Sequence, residues 1–160
     1  MKILIAPLNW GLGHATRCIP IIRQYLDQGD EVVLGGDGDS LLLLHRTFPK
    51  LRVINFPSLE LCYDEDAKQR KFYWRSIPVL LRSTIADHYY LRQVLVIERF
   101  DMVISDNRFG FFSKDVHCVY ITHQLYPILP KHLFLFQPLV RWLHARVYNR
   151  YDEVWVPDYE

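Results

Sequence analysis

The sequence predicts an α/β fold, a doubly wound parallel sheet of about six or seven strands flanked by helices. Three observations predict it. Short apolar runs recur from one end of the chain to the other. Segments of helical spacing stand between most of them. The runs are also continuous instead of alternating, which marks strands buried on both faces, and such strands belong to parallel sheets with right-handed helical crossovers. A sheet of this kind is Rossmann-like.

The elements follow in order. "KILIA" (2–6) is the first strand. "ATRCIPIIRQYLDQG" sets Ile19, Ile22 and Leu26 at helical spacing, with Gly29 as the stop. "EVVLGG" is the second strand, and "DSLLLLHRTFP" a short helix with Asp39 or Ser40 as its cap and Pro49 beyond its end. "LRVINF" is the third strand. From Pro57 to Arg75 acids, bases and aromatics mix without a period, which reads as a long loop of the kind that is usually functional or mobile. A longer helix is expected from Ser76 to Arg99. "DMVIS", "HCVYIT" and "EVWVP" are the remaining strands, with a helix over "HLFLFQPLVRWLHARVYNRY" before the last.

Composition narrows the function classes. The chain has 160 residues, a net charge of +1 and 50% apolar residues. A core burying roughly two-thirds of the unfolded surface is within reach at this size. A near-neutral balance argues against nucleic acid as a partner. Cys18, Cys62 and Cys118 are odd in number and scattered, which reads as reduced thiols in a cytoplasmic protein. The N-terminal apolar run is short and lacks a small-residue cleavage site, so it makes a poor signal peptide. No stretch approaches the ~20 apolar residues of a membrane span. His45, His88, His117, His132 and His144 show no metal-ligand spacing, and no metal is expected.

The stretch "LNWGLGHATR" (8–17) carries the most chemistry. In the first strand–turn–helix of such a sheet, ligands sit beyond the carboxyl ends of the strands. Gly11 and Gly13 fit the start of a dinucleotide fingerprint, and Asp37 fits its ribose-binding acid, but Thr16 occupies the third glycine position. The other reading gives His14 a purpose. The glycines let the backbone turn tightly near a ligand, and the positive end of the helix dipole disfavours imidazolium. A neutral imidazole at the ligand edge suits a general base. His14 as a simple helix cap is equally open on these residues.

"GLGHATR" after a first strand resembles the N-terminal domain of GT-B fold glycosyltransferases, in the group of the peptidoglycan N-acetylglucosaminyltransferase and the nucleotide-sugar glucuronosyl- and glucosyltransferases. "MVISDNRFG" (102–110) resembles the family segment in which a strand-end aspartate orients that histidine. The resemblance therefore implies a His14–Asp106 dyad, with His14 deprotonating an acceptor hydroxyl. "VYITHQLYP" resembles a third strand-end segment. Thr122 precedes the histidine and the family's glutamate has no counterpart, so His123 and Gln124 are assigned to acceptor contact only. The plant-type His-x-x-Pro pattern is absent, the nearest proline being Pro20.

The resemblance further implies an inverting, metal-independent transfer from a nucleotide-sugar donor, UDP-linked, to a sugar, lipid-linked or other hydroxyl acceptor, with no cofactor. Gly11, Gly13 and Thr16 would face the cleft. Arg17, one turn into the helix, would neutralise phosphate or stand solvated. Asn107 and Arg108 would line the acceptor cleft, with Phe111 and Phe112 packed under the sheet. Residues 1–160 would form the N-terminal, acceptor-binding domain, inactive by itself, and a second domain would supply the donor site. Two other classes stay open on the residues: an NAD- or FAD-binding oxidoreductase domain and a non-catalytic binding module.

Two segments join basic and aromatic residues. Lys68, Arg70, Lys71 and Arg75 surround Phe72, Tyr73 and Trp74, while Arg141, Arg146 and Arg150 accompany Trp142. This suits weak peripheral contact with the inner face of a membrane. A loop followed by a helix with a core-facing apolar side is the plainer reading, and Asp64, Glu65 and Asp66 favour it.

Overall fold

The fold was determined as a computed structural model, and it describes residues 1–57, 69–123, 125, 129 and 131–157, with the backbone alone at 69–77, 131 and 132. The elements are β1 (Lys2–Pro7), α1 (Leu12–Asp27), β2 (Glu31–Gly36), α2 (Gly38–Thr47), β3 (Arg52–Asn55), α3 (Gln69–Ile97), β4 (Met102–Asp106), β5 (His117–Ile121), a 3-10 segment (Lys131–Phe136), α4 (Gln137–Tyr148) and β6 (Glu153–Trp155). All five strand pairings are parallel, in the order β3-β2-β1-β4-β5-β6. This is the expected α/β, Rossmann-like sheet.

The continuous apolar runs have a direct structural meaning. Ile3 and Ile5 of β1 face α1 and α2, where Ala15, Cys18, Ile22 and Leu44 complete one core. Leu4 and Ala6, one residue out of phase, face the other side with Leu91 of α3, Phe56 and Phe111. Every position on β1 after Lys2 is buried, so no polar residue can be tolerated on either face. Each buried Ile or Leu side chain among them contributes about 1.5–3 kcal/mol by leaving water.

The topology positions the site. The chain winds outward from β1 through β2 to β3, then returns to lay β4 on the other side of β1. The carboxyl ends of β1 and β4 thus diverge into helices and loops on opposite sides, which opens a crevice at that point. The register sets Pro7 beside Asp106, and Asp106 beside Ile121 of β5. Leu8 N–H donates to the Asp106 carbonyl and Asn107 N–H to that of Ile121, which locks the three strand ends together.

Two local expectations differ from the structure. The irregular stretch read as a loop to Arg75 is helical from Gln69, because Pro78 lies inside α3 instead of opening it. One proline removes one backbone donor, and a helix of 29 residues continues through it. Residues 58–68, including Cys62 and the three acids, lie outside the described part. At α2 neither Asp39 nor Ser40 is the cap. Asp37 holds the N-cap position without a side-chain cap bond. The Ser40 hydroxyl is 3.3 Å from the Leu8 carbonyl and 3.4 Å from that of Gly11, so it secures the glycine turn instead.

Candidate active site

The turn from β1 into α1 is made by one glycine, not two. Gly11 has φ +82° and ψ 160°, a region essentially reserved for glycine. Gly13 is already inside α1, without a positive φ, and a Cβ placed on it would meet nothing within 4 Å. The rest of the turn is fastened to α2, where Ser40 N–H bonds Asn9 Oδ1 at 3.3 Å. Asn9 also lies so close over Gly38 that a side chain there would overlap it. Thr16 bonds back to the Gly13 carbonyl at 3.0 Å, within the helix.

With the helix starting at Leu12, His14, Arg17 and Cys18 are three and four residues apart and share one face. That face meets the end of β4. His14 makes no cap bond; its Nδ1 lies 3.0 Å from Oδ1 of Asp106. Arg17 Nε donates to Oδ2 at 2.6 Å and its Nη2 to Oδ1 at 2.7 Å, a two-pronged pairing. Cys18 Sγ is 3.9 Å from Oδ2. Asp106 is fully buried, so its charge is balanced by the Arg17 guanidinium and not by water. Arg17 is therefore no solvated first-turn arginine. Burial, the Asp106 charge and the bond to it push the Cys18 thiol well above its ordinary range, with burial the largest cause.

The network continues outward. Arg17 Nη1 lies 3.3 Å from Nδ1 of His123, which is exposed at the end of β5. The two imidazole rings are 6.4 Å apart between centroids. Sequence reasoning brought His14, Asp106 and His123 to one edge, and they meet there. Gln124 lies outside the described residues. The Arg17 pairing was missed, although the spacing of 14, 17 and 18 on one helix face was available as a signal. Among the described residues no group of three or more His, Cys, Asp and Glu is arranged to hold a metal.

Next to this network is a cleft of about 230 Å³, walled by Trp10, Val79, Leu80, Asn107, Phe109 and Tyr148 among others. Among the described residues its walls do not include His14, Arg17 or His123; Asn107 and Thr122, their partners' chain neighbours, form that side. Asn107 adopts φ 59°, and its Oδ1 accepts from the Tyr120 hydroxyl at 3.0 Å. Arg108 also reaches the cleft but is only 1% exposed. Its Nη2 donates to Oδ1 of Asp87 at 2.5 Å, and its guanidinium stacks 4.6 Å from the Phe111 ring. Burial pushes the Asp87 carboxyl up against the opposing pull of Arg108. Nothing in the sequence pattern of the long helix pointed to Asp87.

Comparison with known proteins bears on the fold and on the sequence as a whole. No protein-family model matches the chain. An uncharacterized glycosyltransferase of Methanosarcina acetivorans is 28% identical over 177 aligned positions, which cover 99% of this chain and 42% of that protein. The chain thus spans about two-fifths of the length of this curated relative. Among solved structures, the glycosyltransferase of kitacinnamycin aligns with a TM-score of 0.61 at 17% identity, covering 94% of this chain and 38% of that one. CalG4, the calicheamicin glycosyltransferase, gives the same TM-score and identity, with 94% and 42% covered. SnogD from Streptomyces nogalater gives 0.54 at 14%, with 92% and 41% covered. At these identities the solved structures bear on the fold, and the curated relative bears on the sequence. The chain thus shares its fold with part of these glycosyltransferase structures, and its sequence resembles part of a glycosyltransferase.

Proposed function

We propose that the chain is the N-terminal, acceptor-binding domain of an inverting, metal-independent glycosyltransferase, with His14 as general base and Asp106 as its orienter. The observation that supports this best is the 3.0 Å contact between Nδ1 of His14 and Oδ1 of Asp106, formed in the crevice between β1 and β4. In the competent tautomer Nδ1–H donates to Asp106, and the bare Nε2 takes a proton from an acceptor hydroxyl as that oxygen attacks the anomeric carbon. The bond from that carbon to the nucleoside diphosphate breaks, the diphosphate leaving with the electron pair. The buried carboxylate then stabilises the imidazolium that results.

The nucleotide-sugar donor, UDP-linked by the family resemblance, is held mainly by a second domain, and the chain by itself does not turn over. The neighbouring cleft with Asn107 and Arg108 takes part of the acceptor. Its walls carry a compensated arginine and several apolar side chains, which suits a neutral or apolar acceptor portion. The transfer chemistry needs no cofactor in this reading.

Peripheral contact with an anionic membrane belongs to the same proposal. Leu135 is 94% exposed, and Leu139, Trp142 and Leu143 on α4 are about half exposed near Arg146, so in this chain the apolar face is open to such contact. The side chains of the other basic-aromatic segment lie outside the described residues. No helix among the described residues is long and apolar enough to cross a membrane. Retention on anionic vesicles at low salt tests the contact, and its absence sinks it.

The deciding experiment measures transfer from UDP-sugars by the 160-residue chain and by a longer form carrying the second domain. Activity only in the longer form supports the proposal. Robust turnover by the chain alone overturns the two-domain account.

A further inference from the structure

Two neighbours of His14 make opposite demands on one atom. Oδ1 of Asp106, 3.0 Å from Nδ1, is an acceptor and calls for a proton on Nδ1. Nη2 of Arg17, 2.5 Å from the same Nδ1, is a guanidinium nitrogen, a donor without acceptor capacity, and calls for a bare Nδ1. A neutral imidazole carries its proton on one nitrogen or the other. It therefore satisfies one neighbour at a time.

The shorter contact decides between them. Two N–H groups facing each other at 2.5 Å repel, with both hydrogens in the same space. A bare Nδ1 facing Oδ1 at 3.0 Å is tolerated, because Nη2 donates to that oxygen at 2.7 Å and its positive charge lies against both acceptors. In this arrangement the imidazole proton belongs on Nε2. That is the nitrogen a base would need bare.

The guanidinium is also placed to leave. Its inner edge is fixed by the 2.6 Å Nε–Oδ2 bond, while its outer edge extends through Nη1 to the exposed His123. Turning the Nη2 end outward breaks its contacts with Nδ1 and with Oδ1 and keeps the Nε–Oδ2 bond, so Asp106 never loses its countercharge. The planar fork of an arginine at a crevice mouth suits the oxygens of a phosphate.

We propose that Arg17 is a positioning residue that holds His14 in the Nε2–H form, and that a phosphate or diphosphate group in the crevice releases the base by drawing Nη2 away. His14 then gives its Nε2 proton to water and takes one from water on Nδ1, where Asp106 accepts it, and so presents a bare Nε2. This rests on His14 being the base, and it adds that the base is off until an anion arrives. The same bond from Nη1 keeps the proton of His123 on its Nε2.

The test reads the imidazole nitrogens of the chain directly by isotope-edited NMR, with His14 assigned by the signal lost in His14→Gln. Without ligand, the expected pattern is a bare Nδ1 and a protonated Nε2. Saturating inorganic pyrophosphate should exchange the two, and Arg17→Met should show the exchanged pattern without any ligand. Arg17→Lys, which keeps the charge but not the fork, serves if Arg17→Met does not fold, and should also release Nδ1. A protonated Nδ1 in the ligand-free chain overturns the proposal, as does an unchanged pattern in the presence of pyrophosphate. UDP and geranyl phosphate as separate titrants then distinguish a nucleotide diphosphate from a lipid-borne phosphate as the natural trigger. The tautomer is read without any transfer reaction, so its outcome is independent of whether His14→Ala abolishes glycosyl transfer.

Discussion

His14 and Asp106 are 92 residues apart in the chain and 3.0 Å apart in space. The contact exists because β4 returns to the side of β1 and the register sets Pro7 beside Asp106. As the general base proposed above, His14 should be costly to lose. In the proposed two-domain protein, His14→Ala should lower kcat by about a hundredfold to ten-thousandfold, with the donor KM little changed. Asp106→Asn should lower kcat comparably, and it should also lower the melting temperature, because Arg17 is left without its buried partner. Steady-state kinetics beside thermal melts separate the two effects. A His14→Ala enzyme with unchanged kcat would reduce His14 to a packing residue.

The two glycines of the turn should respond in opposite ways. Gly11→Ala forces a side chain into a backbone region reserved for glycine and should destabilise the fold by about 1–3 kcal/mol. Gly13→Ala stands in a helix, with nothing within 4 Å of the new Cβ, and should stabilise it by up to about 1 kcal/mol. Urea unfolding measures both. If Gly13→Ala is stable yet loses transfer activity, the space beside Gly13 is occupied by substrate. If it keeps both, Gly13 serves neither turn nor ligand.

How much of this was legible depended on how local the signal was. The buried strands announced themselves because "ILIA" and "MVI" must satisfy two cores at once, which favours unbroken apolar residues. The edge bearing His14, Asp106 and His123 followed from strand order, since each residue closes or follows a strand. The start of α3 did not, because consecutive aromatics have no helical period and Ser76–Pro78 imitates a helix start. Gly13 could not be told from Gly11 without φ. The pairing of Asp87 with Arg108 depends on how a long helix crosses the sheet, which no residue spacing encodes.

That pairing makes its own prediction. Asp87 and Arg108 are 2% and 1% exposed, so each neutralises a charge that water cannot reach. Asp87→Ala should cost about 3–5 kcal/mol by leaving Arg108 buried and uncompensated. The double variant Asp87→Leu/Arg108→Met should recover much of that loss, because it removes both charges together. Chemical denaturation of the single and double variants checks this. A double variant no more stable than Asp87→Ala would show that packing against Phe111, and not charge, governs the site.

The two buried thiols that the structure describes should be silent at neutral pH and should destabilise the fold in alkali. Burial pushes the Cys118 thiol from 9.0 to about 11, while the Cys18 thiol is raised by burial and by the nearby Asp106 charge. The thiolate is the reactive form, so neither residue should be alkylated in the native chain at neutral pH. Peptide mapping after iodoacetamide treatment reads this, and labelling should appear only on unfolding. The sign of the pH effect follows from linkage. Below pH 9 both states keep the Cys118 proton, and its contribution to stability is fully present. Between pH 9 and about 11 the unfolded chain releases that proton while the native chain retains it, so stability falls as pH rises through this window. Cys118→Ala should reduce the slope of that fall, measured as urea midpoint against pH. An identical slope in the variant would mean that other groups carry the alkaline transition.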